Sequence, residues 1–323
     1  MKSLKQYILE ALLNEGGKAV DGTPMTQKQA KEVFDDVVKH LLPLFGLEEE
    51  NTDYAALGSF GKKHQDQTSG DIDIAVSLEK IAGFFGISIN EVENKICELL
   101  DEKDMYYKMN TGLHVISTRW PIPNTEGLYG QVDLMPSYNM EFSKWMYHSP
   151  DFTKAESKYK GLYRNQLIML TLKNVDQKVL SRNEKDEVME FERYALRLNS
   201  GLAITVRSYV GKRGRKKNPE AIKELERQVT NVPDEIVKIA FGDHVKAKNV
   251  MNFEETYKIF MSEKFIHKED RETIIEDFIT EMVKGYFPIP SEVYDDWKEL
   301  CDKISNEIGE KRRIAAEKQA NKK

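Results

Sequence analysis

The residues of this chain best suited to chemistry are three aspartates and a Gly-Ser pair. Gly58-Ser59 stands ahead of Asp71-Ile72-Asp73-Ile74, and Asp133 follows within Gln131-Val132-Asp133-Leu134-Met135-Pro136. Side chains alternate faces along a strand. Asp71 and Asp73 therefore point the same way, with α-carbons about 7 Å apart, while Ile72 and Ile74 point into a core. Two carboxylates on one face repel and are costly unless a cation lies between them. Hard oxygen donors of this kind suit Mg²⁺ or Mn²⁺. Gly58 and Ser59 end a strand with little side-chain bulk, so backbone amides there can approach a phosphate, and the Ser hydroxyl adds a donor. Asp133, flanked by apolar residues, needs a partner for its charge. If its strand lies beside that of Asp71 and Asp73, three carboxylates can hold two metal ions about 3.5–4 Å apart. A phosphate cradle with divalent cations is the equipment of phosphoryl transfer.

A sheet must bring these residues together, and the surrounding sequence supplies one. Tyr54–Leu57 reads as a short strand running into Gly58-Ser59, and Asp71–Val76 as a second. Met105–Met109, His114–Trp120 and Tyr129–Met135 read as three more, the last two expected to pair as a hairpin across Pro121, Pro123, Asn124 and Gly127. A helix is predicted over 88–103, capped by Ser88 or Asn90. Upstream, Thr26 can cap a helix from Gln27 to about Leu42, closed by Pro43. The spacing of Leu4, Ile8 and Leu12 predicts a short amphipathic helix over 4–14. Beyond Pro150 the pattern reads as helical nearly to the end, with breaks near Asn199–Gly201, Gly211–Pro219, Pro233 and Phe287–Pro290. The expectation is an α+β chain: an N-terminal helical segment over 1–45, a mixed-sheet palm over 46–150, a large C-terminal helical domain over 151–310 and a basic tail over 311–323.

The composition excludes several classes. With 323 residues and 10% aromatics the chain can bury a substantial core and is not a wholly disordered polymer. Its apolar runs are too short to span a bilayer. Met1–Lys18 lacks an apolar signal core, and Cys97 and Cys301 have neither disulfide-framework nor zinc spacing. A soluble, cytoplasmic protein of a reducing compartment is expected, with no membrane partner. The net charge of −6 hides an uneven distribution. The last thirteen residues hold six bases against one Glu, which leaves −11 on the rest, and Gly211–Lys217 adds five bases within that acidic body. Such patches can grip phosphates locally without coating a nucleic acid.

The order Gly58-Ser59, Ser69-Gly70-Asp71-Ile72-Asp73-Ile74, then Val132-Asp133-Leu134-Met135-Pro136-Ser137-Tyr138 resembles the nucleotidyltransferase superfamily of the DNA polymerase beta type. It is most similar to the branch holding archaeal-type CCA-adding enzymes, eukaryotic-type poly(A) polymerases and oligoadenylate and cyclic-oligonucleotide synthases. The resemblance covers roughly residues 53–138. It implies that Asp71 and Asp73 bind two Mg²⁺ (or Mn²⁺) ions and that Asp133 binds the one activating the attacking hydroxyl. It also implies that Gly58 and Ser59 hold the triphosphate of an NTP, ATP among the candidates. Related enzymes place a basic residue on a helix after the third carboxylate, which makes Lys158, Lys160, Arg164 and Lys173 nucleotide-binding candidates. Lys62 and Lys63, just past the Gly-Ser pair, are further ones.

Each assignment has a plainer alternative: solvent-facing strand acids for Asp71 and Asp73, a surface acid for Asp133, a turn former for Ser59, a solvated helix face for Lys158–Arg164 and a basic loop for Gly211–Lys217. His64 and His114 lack metal spacing and read as structural. The order of the motifs favours a template-independent nucleotidyltransferase acting on an RNA 3′ end, a second nucleotide, a small molecule or a protein side chain. A toxin-type transferase modifying tRNA or protein is a variant of that reading. A retired palm serving as a nucleic-acid-binding scaffold is the alternative from another class.

Overall fold

The computed structural model describes residues 19–58, 68–147, 159, 161–175, 178–182, 188–208 and 226–320. The predicted helix over 4–14 and the basic run 211–217 lie outside the described residues.

From a turn at Ala19–Asp21 the chain runs into β1 (Met25–Thr26), which pairs with β3 (Thr68–Ser69). Thr26 then starts α1 (Gln27–His40): its hydroxyl accepts from the Gln29 amide, and the Gln29 side chain accepts from the Thr26 amide. The main sheet has five strands, β2 (Tyr54–Ala56), β4 (Asp71–Ser77), β5 (Tyr107–Asn110), β6 (Val115–Pro121) and β7 (Tyr129–Ser137), in the order β2-β4-β7-β6-β5. β4 and β7 run parallel and every other pair is antiparallel, including the expected β6–β7 hairpin.

Alternation divides this sheet. Ile72, Ile74, Val132 and Leu134 are fully buried against α1, α2 (Leu78–Phe85) and α3 (Val92–Glu102). The helix over 88–103 is present as α3 with a leading turn of 3₁₀ helix, and the Ser88 side chain and Glu91 cap it reciprocally. The opposite face carries the acids and a small cluster of Leu57, Ala75 and Met135. α1 contributes Ala30, Val33 and Val37 to the core of the palm, so it is part of that body rather than a separate lead.

α4 (Met140–Met146) joins the two halves. Phe142, Trp145 and Met146 belong to the second core, built on the central helix α5 (Gly161–Asn174) with α6 (Pro233–Phe241), α7 (Phe253–Met261), α8 (Arg271–Lys284), α9 (Ser291–Asp296) and α10 (Lys298–Ala320). The α+β class, the mixed-sheet palm and the helical C-terminal region expected from the sequence are what the structure shows.

Two expectations change. The stretch after Pro150 is not helical throughout, because β8 (Lys178–Arg182), β9 (Val188–Arg197), β10 (Gly201–Ser208) and β11 (Glu226–Thr230) form an antiparallel sheet in the order β11-β10-β9-β8. The break at Asn199–Gly201 is a hairpin turn: Gly201 has φ +97°, and a Cβ there would collide with the Thr230 carbonyl. The predicted boundary at 310 falls inside α10, and the basic tail is helical as far as Ala320. Arg312 donates to the Val283 and Lys284 carbonyls at 3.0 Å, and Arg313 pairs with Glu310 and Glu317. Helix-surface pairs and the satisfied C-terminal carbonyls of α8 hold that tail in place.

Candidate active site

The parallel register of β4 and β7 sets the acids side by side. Asp71 stands opposite Gln131, Asp73 opposite Asp133, and across the next pair Ser117 stands opposite Asp133. One carboxylate oxygen from each of Asp71, Asp73 and Asp133 lies within 4.8 Å of the others. Asp71 and Asp73 are half-buried, and Asp133 is buried. A cluster of three hard oxygen donors at this spacing fits a divalent cation of the Mg²⁺ or Mn²⁺ kind. Burial pushes the Asp133 carboxyl up to about 6; the Ser117 hydroxyl opposes that rise, the Asp71 charge adds to it and the Gln131 amide opposes it.

The elbow after β2 lies against the same acids. The Leu57 amide donates to the Asp73 carbonyl at 2.9 Å, and the Gly58 amide donates to the Tyr147 carbonyl at 2.9 Å. Gly58 has φ +65°, and a Cβ there would overlap Asp73 Oδ2, so both backbone conformation and space require glycine. Burial, and then the charge of Asp73, raise the Tyr147 phenol well above its ordinary value.

The last carbonyls of α4, which have no partner within the helix, are taken up in turn. Arg164 donates from Nη1 to the Trp145 carbonyl (2.9 Å), Asn165 donates to Met146 (2.8 Å), and Gly58 takes Tyr147. This corrects the expectation that Arg164 contacts a triphosphate. Its guanidinium is fully buried, bonded also to the Val250 carbonyl and lying 4.4 Å over the Trp145 ring. It ties the second core to the helix behind the elbow. Lys173, the other expected contact on α5, forms a 2.7 Å ion pair with Asp277 on α8, joining two helices of the C-terminal region. His114 pairs with Glu93 at 2.8 Å, consistent with a structural residue. Ser59, Lys62, Lys63, Lys158, Lys160 and His64 lie outside the described residues.

The structure adds partners that sequence reading missed. Gln131, on the same strand face as Asp133, donates from Nε2 to Asp133 Oδ1 at 2.9 Å and to Oδ2 at 3.1 Å. Ser117 comes from the neighbouring strand. The i−2 spacing of Gln131 could have marked it; Ser117 becomes visible only once the register is known.

No family model matches the chain, and no curated protein matches it. Several solved structures are similar to it, two of which illustrate the likeness. Leishmania infantum polymerase beta, in a ternary P/T complex, is 11% identical over 77% of this chain and 88% of its own, with a TM-score of 0.35. Cid1 in complex with its short product ApU is 9% identical over 88% of this chain and 74% of its own, with a TM-score of 0.27. At such scores the overall superposition is loose, and the functional reading rests on the geometry of the acids. No helix among the described residues is long and apolar enough to cross a membrane.

Proposed function

We propose that this chain is a metal-dependent nucleotidyltransferase that moves a nucleoside monophosphate from an NTP to an acceptor hydroxyl. The observation that carries the reading is the convergence of Asp71, Asp73 and Asp133 from two parallel strands, with a side-chain-free Gly58 against Asp73. An acidic cluster alone is common. One built into the register of a sheet, with the third acid buried beside the other two, is a costly arrangement that a bound cation relieves.

Asp71, Asp73 and Asp133 are the residues that would hold the metal, and the order of the motifs supports two ions. Divalent ions held there would lower the pKa of the acceptor hydroxyl and offset charge on the phosphates. The hydroxyl gives up its proton to solvent, its oxygen bonds to the α-phosphorus, and the bond from that phosphorus to the bridging oxygen breaks to release pyrophosphate. Gly58 gives the Asp73 carboxylate room against the elbow, and because its own amide is bonded to the Tyr147 carbonyl, it shapes the elbow and leaves phosphate contact to its neighbours. Ser59, Lys62, Lys63, Lys158 and Lys160 are the proposed triphosphate contacts. Tyr147 keeps its proton at neutral pH and so adds no further negative charge beside Asp73. ATP is the proposed donor, and an RNA 3′ end or a second nucleotide the proposed acceptor.

The test is incubation with each of the four α-labelled NTPs, Mg²⁺ or Mn²⁺, and a panel of RNA, nucleotide and protein acceptors. Label transfer by the wild type and its loss in an Asp71→Ala/Asp73→Ala variant is the expected result, and product size identifies the acceptor. Equal behaviour of the two proteins with all four NTPs refutes the reading.

A further inference from the structure

Gln131 is 2% exposed, and its amide is divided between two jobs. Nε2 donates to both oxygens of Asp133, and Oε1 accepts from the Ala19 amide at 3.0 Å and the Val20 amide at 3.4 Å. Only one orientation of the side chain satisfies both sets, because the carboxylate accepts and the two amides donate. The segment that supplies those amides is itself fastened along the sheet. Arg119 donates from Nε to the Val20 carbonyl and from Nη2 to Asp21 at 3.3 Å, and the Thr23 amide donates to the Tyr129 carbonyl at 2.7 Å. Gly22 passes so close that a Cβ would lie 2.8 Å from the Gln131 backbone nitrogen. Met25 packs on Gly130, and β1 pairs with the strand ending at Ser69, two residues ahead of Asp71. The strap Ala19–Thr26 thus grips β7 at Gln131, beside Asp133, while its Met25 enters the core on the other face of the same strand.

We infer that Gln131 is a positioning residue for the third metal-binding carboxylate, and that the strap is the device that holds Gln131 in place. The inference rests on the metal centre proposed above. A buried carboxylate with free torsion would turn toward any available donor. Gln131 and Ser117 hold one face of Asp133, leaving its remaining lone pairs toward Asp71 and Asp73. Loss of such an outer partner to a metal ligand commonly lowers affinity by about 10- to 100-fold.

The experiment titrates full-length protein with Mn²⁺ alone and reads free Mn²⁺ by electron paramagnetic resonance, with no nucleotide and no turnover. Four proteins are compared: wild type, Gln131→Leu, Arg119→Met and Val33→Ala. Val33→Ala opens a cavity in the palm core without touching the strap, and so reports what general destabilisation does. Gln131→Leu should raise the Mn²⁺ Kd about 10- to 100-fold. Arg119→Met, which frees the strap and leaves Gln131 intact, should raise it about threefold or more, and Val33→Ala should leave it within about twofold. If wild type binds and Gln131→Leu binds equally well, the positioning role is overturned while the metal centre stands. If wild type shows no saturable binding, the metal centre and the role fall together. A Gln131→Leu variant that does not fold, alongside a folded Arg119→Met that binds like wild type, also overturns it.

Discussion

Asp133→Asn should make the metal-free protein more stable, not less. Burial pushes the Asp133 carboxyl up to about 6 in the folded chain, from an ordinary carboxylate value of 3.8. A rise of about 2 units corresponds to about 3 kcal/mol between the two protonation states. The native state holds the proton more tightly than the unfolded chain. The favourable contribution is therefore fully present below about pH 3.8 and is lost as the pH rises through about 6. At pH 7.5 the wild type carries nearly the whole penalty of about 3 kcal/mol, and at pH 4.5 only about 1 kcal/mol. Asparagine does not ionise. Its Oδ1 can accept the bonds from Gln131 and Ser117, and its amide can donate toward Asp71, turning a repulsion into a hydrogen bond. Urea unfolding in EDTA, followed by tryptophan fluorescence, should show the variant ahead by up to about 3 kcal/mol at pH 7.5 and about 1 kcal/mol at pH 4.5. Groups common to both proteins cancel in the difference. Added Mg²⁺ should reverse the order, since a ligand stabilises by RT ln(1 + [L]/Kd) and the variant has lost a ligand. A variant less stable than wild type in EDTA at pH 7.5, or a gain that does not shrink at pH 4.5, refutes the reasoning.

Further outcomes follow from the same geometry. Gly58→Ala should lower the transfer rate at least 100-fold, since its Cβ would displace the Asp73 carboxylate, and should cost about 1–2 kcal/mol for the left-handed backbone; single-turnover kinetics with a thermal melt separate the two effects. Arg164→Met should destabilise by about 2–4 kcal/mol, because it leaves the Trp145 and Val250 carbonyls unmet, while Mn²⁺ affinity stays within about twofold. A selective rise in KM for NTP with unchanged stability would instead mark Arg164 as a substrate contact. Thr26→Ala should cost about 1 kcal/mol in urea unfolding through loss of the α1 capping box.

Much of the palm was legible because its signals are local. Alternation in Asp71-Ile72-Asp73-Ile74 predicts one buried and one acidic face, and Ile72 and Ile74 are indeed fully buried. Thr26 with Gln29, and Ser88 with Glu91, mark helix starts by residue type. The second sheet was not legible. β9 carries Met189, Glu190, Glu192, Arg193, Ala195, Leu196 and Arg197, all good helix formers, and its partners lie across turns. Tyr194, Leu196 and Leu198 alternate toward the core, and nonlocal pairing outweighs their local preference. Arg164 was misplaced for a related reason. A basic residue on a helix after the third acid reads as a phosphate contact until the ends of neighbouring helices are known.

Residue type and spacing alone determine that this chain has strand-borne acid pairs, a glycine elbow and capped amphipathic helices, because those properties depend on backbone geometry within a few residues. Tertiary structure decided that Asp73 and Asp133 share a register, that Gln131 is gripped from the N-terminal segment and that Arg164 serves the end of α4. These depend on which distant segments compete for the same buried hydrogen-bond donors and acceptors, and a buried polar group takes whichever partner the packing brings within about 3 Å.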